Sequence, residues 1–312
     1  MSQLFVGLDT SCYTSSVACI DSDGIVCDER ILLHVNKGER GLRQSDAVFQ
    51  HTRNLDALIS RVFYEIDPRL IRAVGVSSCP SGRENSYMPV FLSGKTAATA
   101  ISSSLRVPIN LFTHQQGHIR AALYGNELLM GQAFFAIHLS GGTTDILKVD
   151  PSFDIIRVGG SNDINAGQLV DRIGVKLGLP FPAGKSLERL AEGKSCTSEC
   201  QLPSSVKGLD CSFSGVETKA LGYVDAGIPA EIIAVSIYDC IARTLAKLIR
   251  NAAESFGINK FLLAGGVASS AILKDMLRER LKSRSIELYF ADSKLASDNA
   301  VGIALLTRDR FN

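Results

Sequence analysis

Two of the chain's five histidines, His114 and His118, stand four positions apart in "THQQGHIRAAL". Thr113 has a capping side chain, and on a helix positions i and i+4 share one face. Two imidazoles placed in this way suit one divalent cation. Gly117 lies between them, where it costs roughly 1 kcal/mol relative to alanine in a helix. That cost predicts something approaching the backbone closely. The alternative is that the rings are separately hydrogen-bonded. A cation also needs a further ligand, which spacing does not identify. Metallopeptidases of the HExxH type share the histidine spacing, but Gln115 stands where their glutamate base would be and takes no proton. Peptidase chemistry fails at that residue.

A second chemistry is suggested by small-residue turns. "CYTSS", "HLSGGTTD" and "LLAGGVASS" each follow an apolar run, and such turns bring backbone N–H groups and hydroxyls close to a phosphate. Asp171, between apolar neighbours in "AGQLVDRIG", suits ribose hydroxyls or a salt bridge. Asp298, in the turn "LASDNAVG" before a helix, reads as an N-cap or as a cation ligand. Cys196, Cys200 and Cys211 form a loose cluster without the paired spacing of a zinc knuckle.

These groups must be positioned by a scaffold that shows a repeat. "LFVGLDTSCYTSSVACIDSDGIVCDERIL" and "FFAIHLSGGTTDILKVDPSFDIIRVG" each read as a three-strand meander with a Gly/Ser/Thr first turn. Between and after them the apolar period turns helical. Val48, Leu55, Leu58 and Val62 predict a helix opening at Ser45, and the longest helix opens near Pro229 and closes at Gly257. The expected architecture is duplicated α/β, with two lobes and a ligand in the interlobe cleft. The first lobe is expected over 1–125, joined by the C-terminal helix 296–312, and the second over 126–295. The 312 residues are 46% hydrophobic and carry a net charge of +1, which excludes a strongly basic RNA binder but not a local basic patch. No apolar run reaches a membrane span, no signal peptide is legible, and the eight scattered cysteines fit a reduced cytoplasmic protein.

Taken in order, these segments resemble the TsaD family, which includes the catalytic subunits of KEOPS complexes and was formerly classed as glycoproteases. "GLDTSCYTSSVA" is similar to the family's GIETSCDETxxA, "VPINLFTHQQGHIRAAL" to VPxxxVxHxxGHxxA, and "IHLSGGTTDIL" to LxVSGGHTxL. "NDINAGQLVDRIGVKLGLPFPAG" resembles DIAxGNxxDRxAxxLGLxxPGG, "CSFSGVETKAL" resembles FSFSGLKTAV, "LLAGGVASSAILKDML" resembles GGVxANxxLR, and "SDNAVGIA" resembles TDNAAMIA. The resemblance implies the actin-like (ASKHA) fold. It also implies transfer of a threonylcarbamoyl group from its AMP ester to tRNA adenosine, with one metal, iron or zinc. The implied metal ligands are His114, His118 and Asp298. The implied contacts to an adenine nucleotide, AMP ester or ATP, are His138, Leu139, Ser140, Gly141, Gly142, Asp171, Gly184 and Ser270. Implied partners are tRNA and either a second copy or a TsaB-like protein, with no membrane.

The departures from the family pattern cluster around the substrate. Tyr13 and Thr14 replace an acidic pair, Ser270 an asparagine, Thr143 a His or Asn, and Gln168 a Glu or Asn. Glu217 reverses the charge of a lysine, and "CPSGRENSYMPVFLSGKT" departs from a glycine-rich segment. These changes suit a divergent relative. The alternatives are therefore a carbamoyl transferase with another acceptor and a non-catalytic nucleotide-binding partner.

Overall fold

The computed structural model describes residues 2–11, 13–35, 42–82, 86–283 and 285–311. The chain begins with β1 (Leu4–Ser11), β2 (Thr14–Ile20), β3 (Ile25–Leu32) and α1 (Gln44–Glu65). It continues through β4 (Ile71–Cys79), α2 (Phe91–Leu105), β5 (Ile109–Thr113) and α3 (His114–Ala122). A second meander follows, β6 (Phe134–Leu139), β7 (Thr144–Val149) and β8 (Ile155–Ser161), then α4 (Ala166–Lys176) and α5 (Gly184–Ala191). Short strands β9 (Ser205–Lys207) and β10 (Asp210–Ser212) precede α6 (Ser214–Asp225) and α7 (Ala230–Phe256). The last elements are β11 (Lys260–Ala264), α8 (Ala271–Leu281), β12 (Glu287–Phe290) and α9 (Val301–Asp309).

Two compact units result, one of residues 1–124 with 297–312 and one of 125–296. In the first, the sheet order is β3-β2-β1-β4-β5. The meander is antiparallel, while β4 joins β1 and β5 joins β4 in parallel. Every residue of β1 is buried, as expected of a central strand covered on both faces. Its core gathers Leu4, Val6 and Leu8 with Leu55, Leu58 and Val62 of α1. The buried stripe of α1 runs Ala47, His51, Leu55, Leu58, Val62 at helical spacing. Val48 is only half-buried, and His51 takes the place on that stripe for which no apolar residue was available. Ser45 does not cap the helix, which starts at Gln44 with no side-chain cap.

The second unit repeats the plan. Its order is β12-β11-β6-β7-β8-β10-β9, so the antiparallel meander β6-β7-β8 is extended on one side by the parallel strands β11 and β12. The order β8-β7-β6-β11-β12 matches that of the first sheet, with β10 and β9 added beyond β8. Helix α7 fills the core of this unit, with Pro229 as N-cap and Gly257 closing it in the left-handed conformation. Among the described residues, no helix is long and apolar enough to cross a membrane.

Candidate metal centre and nucleotide-binding turns

The histidine helix α3 starts where the chain leaves β5. Thr113 accepts from the Gln116 N–H at 3.0 Å, and the Gln116 side chain accepts from the Thr113 N–H at 2.9 Å. This reciprocal capping box fixes the first turn of α3 and with it the direction of His114. The two imidazoles pack edge to face, with centroids 4.2 Å apart. Asp298 meets them both, its Oδ1 lying 3.1 Å from His118 Nε2 and 3.7 Å from His114 Nε2. One ligand atom from each of the three side chains falls within 4.8 Å of the others. Among the described residues this is the only group of its kind, and the three cysteines do not form one.

The residue after Asp298 caps the helix that follows. Asn299 Oδ1 accepts from Val301 N–H at 3.0 Å and Gly302 N–H at 3.4 Å, satisfying the first turn of α9. The close approach at Gly117 is not that of a ligand. A Cβ on Gly302 would overlap the Gly117 carbonyl oxygen, and one on Gly117 would lie 2.9 Å from Ile303 Cδ1. The neighbour is α9, which crosses α3 at a pair of glycines and so brings Asp298 to the two histidines.

A fourth residue, Asp9, is not among the ligands that the resemblance implies, yet it completes the group. It is wholly buried on β1, 3.2 Å from His114 Nδ1, with Ser11 donating to it at 2.7 Å and Ser77 donating as well. Burial alone would raise the Asp9 carboxyl, but the His114 charge and hydrogen bond, helped by Ser77, hold it below the usual carboxylate range. Burial likewise opposes a charged His114, while Asp9 first and then Asp298 lift its imidazole to about 9. A carboxylate on Nδ1 holds the tautomer that leaves Nε2 toward Asp298, the usual support of a metal-ligating histidine. The legible signal for Asp9 was a lone carboxylate inside the apolar strand "LFVGLDTS".

Two nitrogens and one oxygen with an outer carboxylate fit a divalent transition metal with open positions left for substrate. Alkaline-earth ions prefer all-oxygen shells.

In the second unit the remaining candidates gather at one end of the sheet. His138 and Leu139 close β6, and the turn Ser140–Thr143 is held by Ser140 N–H to Thr143 O at 2.9 Å. Gly142 N–H donates to Ser140 Oγ at 3.3 Å. The first turn of α4 abuts this loop, since a Cβ on Gly167 would overlap the Ser140 carbonyl. Asp171, one turn further, accepts from Ala183 N–H at 2.8 Å, which ties it to the start of α5 at Gly184. Burial raises the Asp171 carboxyl, opposed by that hydrogen bond. Gly265, at φ +98°, has no room for a side chain beside Leu139, so the "AGG" turn lies directly on the end of β6. Ser270 is engaged as the N-cap of α8 and donates to Glu188 Oε1 at 2.8 Å.

The substituted positions have local partners. Tyr13 is 44% exposed and Thr14 is buried at the start of β2. Gln168 belongs to a capping box with Asn165, and Glu217 pairs with Arg172 at 3.1 Å. Cys12 and residues 83–85 of the divergent "CPSGRENSYMPVFLSGKT" segment lie outside the described residues.

Solved structures with this arrangement include a HypF of T. kodakarensis (TM-score 0.65, 16% identity, 98% of this chain and 47% of that one). Another is a ROK family glucokinase from Streptomyces griseus solved with glucose and AMPPNP (TM-score 0.56, 14% identity, 98% and 99%). The duplicated strand order and these neighbours define an α/β protein of the actin-like ATPase fold. Within that class the chain belongs to the TsaD family, described as tRNA N6-adenosine threonylcarbamoyltransferase, which it matches over residues 28–305. Similar proteins include a probable bifunctional tRNA threonylcarbamoyladenosine biosynthesis protein of Thermoplasma acidophilum, 31% identical over 96% of this chain. The chain spans 55% of that relative's length. The tRNA N6-adenosine threonylcarbamoyltransferase of Thermotoga neapolitana is 27% identical, with 96% of this chain and 91% of the relative covered. That of Thermus thermophilus is 30% identical, at 96% and 90%. The family is one of transferases and not of peptidases, in keeping with Gln115.

Proposed function

We propose that the chain transfers a threonylcarbamoyl group from its AMP ester to the N6 amine of a tRNA adenosine, with iron or zinc held by His114, His118 and Asp298. The observation that carries this reading is the convergence of those three side chains, supported by Asp9, in a chain of the TsaD family. A divalent ion bound there would polarise the carbamoyl carbonyl and orient it. Asp9 holds the His114 tautomer. The Ser140–Thr143 turn presents backbone donors to phosphate, Asp171 accepts ribose hydroxyls, and Gly184 opens α5 beside them. The amine nitrogen bonds to the carbamoyl carbon as the carbon–oxygen bond to AMP breaks. AMP leaves with that electron pair and the amine gives up a proton. The two compact units serve as the N-terminal and C-terminal lobes of a cytoplasmic protein. The bifunctional relative supports a second polypeptide as partner, TsaB-like or a second copy.

A different acceptor is the second reading, favoured by the uncharged Tyr13 and Thr14 at the first turn. Incubation of the metal-loaded protein with labelled threonylcarbamoyl-AMP and tRNA, with a TsaB-type partner, tests both. Label in tRNA adenosine, lost in Asp298→Ala, is the expected result. AMP release that depends on a small-molecule amine and ignores tRNA would overturn the first reading for the second.

A further inference from the structure

Beyond the ligands, α3 carries a charged group that the proposed chemistry does not use. Arg120 lies two residues past His118, with its side chain 4% exposed. It reaches Asp309, the last residue of α9, through Nε at 2.5 Å and Nη2 at 3.3 Å. Its third nitrogen, Nη1, is buried and has no hydrogen-bond partner among the described residues. As a source of stability this is a poor arrangement. Desolvating two charges often outweighs their attraction, a buried donor left unmade costs about 1–3 kcal/mol, and an apolar pair of similar volume commonly holds helices as well. Arg120 is buried and the Asp309 side chain 27% exposed, so the pair suits fixing register better than adding stability.

The geometry shows which register is at stake. Helix α9 touches α3 closely at Gly302 and Gly117. Gly302 also lies against the Ala121 N–H, and such small-residue contacts bring two helices close without a polar group to set their register. Asp309 lies seven residues beyond Gly302, on the order of 10 Å along the helix. Holding Asp309 therefore holds the end of α9, whose start follows the third ligand by three residues. The same short helix, α3, supplies both histidines and the arginine, so the reference point and the ligands move together.

We infer that Arg120 and Asp309 form a register lock that sets the Asp298 carboxylate against His114 and His118, making Arg120 a positioning residue of the metal centre. The inference rests on the metal reading above. Arg308 and Arg310 flank the same end, bonding Asp21 O at 3.0 Å and covering the Phe112 ring at 4.6 Å. They hold the end of α9 to the sheet, with Arg308 Nε also 3.8 Å from the Asp309 carboxylate, whereas Arg120 ties that end to the histidine helix.

The test is zinc titration by calorimetry, alongside thermal unfolding, on the wild-type chain, Arg120→Met, Arg120→Lys and the double variant Arg120→Met/Asp309→Leu. Arg120→Met should weaken zinc binding at least ~10-fold, the scale of losing an outer-shell support, and lower Tm. Arg120→Lys should recover part of the affinity. The double variant should recover Tm but not affinity, which a merely structural pair would not do. Affinity that returns with Tm in the double variant, or unchanged affinity in Arg120→Met, overturns the lock while leaving the ligands intact. A wild-type chain that binds no zinc and no ferrous iron overturns the metal reading and the lock with it.

Discussion

In the first unit a meander and two parallel strands end in β5, and α3 with its histidines follows directly. In the second unit the same order ends in β12, and the chain passes through Asp298 into α9. The first unit thus collects ionisable side chains at its strand ends: Asp9 on β1, the histidines after β5, and Asp298 on the helix that returns from the second repeat. At corresponding places the second unit offers main chain instead, in the turns after β6 and β11. One strand order has been equipped twice, once with side chains suited to a cation and once with glycine turns suited to phosphate. A topology therefore specifies where ligands are met, and local sequence decides their charge.

That division can be broken by a pair of substitutions. Asp298→Ala should reduce zinc affinity more than ~100-fold, beyond the loss of an outer-shell group, and leave AMP binding unchanged. Asp171→Ala should do the reverse, weakening AMP about 10-fold or more with zinc unaffected. Calorimetric titration of both ligands against both variants reads this directly, and equal losses of both ligands in either variant would show that the units do not divide the work.

A smaller effect separates ligand from support. Asp9→Asn keeps the volume but replaces a carboxylate with an amide that can donate to His114 Nδ1 and favour the wrong tautomer. Zinc affinity should fall roughly 10-fold with little change in stoichiometry. Retained affinity would remove Asp9 from the centre.

A separate effect, on stability and not on ligand binding, concerns His51, which is buried in the first unit. Its Nδ1 bonds Ser15 Oγ at 2.8 Å, and Asn54 donates to the same oxygen at 3.2 Å. Burial depresses its imidazole from 6.5 to about 4, against the pull of Asp9 and Asp298. The unfolded chain therefore takes up a proton at about pH 6.5 that the folded chain refuses until about pH 4. Stability contributed by neutral His51 is full above the upper value and is lost as pH falls through this window, by roughly 3 kcal/mol in all. Urea unfolding between pH 7 and 4 should show this slope, and His51→Gln should flatten it. An unaltered slope would mean that another group titrates.

How much of this could be read beforehand depended on range. The capping Thr113, the meanders and the ends of α7 were legible because each is decided within a few residues by capping, alternation or a left-handed glycine. The pairing of His114 with His118 was legible for the same reason. Asp298 was legible only as a cap or a cation ligand, since a ligand from the far end of the chain leaves no periodic trace, and the family resemblance joined it to the histidines. Capping was the alternative for Asp298, and Asn299, which offers the same kind of oxygen, caps α9. Gly117 was understood as a close approach, but a neighbouring helix and a ligand demand the same missing Cβ. Ser45 looked like a cap and is not one, because the helix gains a further residue at Gln44.

The contact between Gly117 and Gly302 has one further consequence. Where two main chains meet without side chains, the distance between them is insulated from drift in the residues around them. Substitutions at Tyr13, Thr14 or Ser270 alter what is recognised without pulling the donor atoms apart. A lineage built on such a joint is free to vary at those positions while keeping Asp298 against His114 and His118.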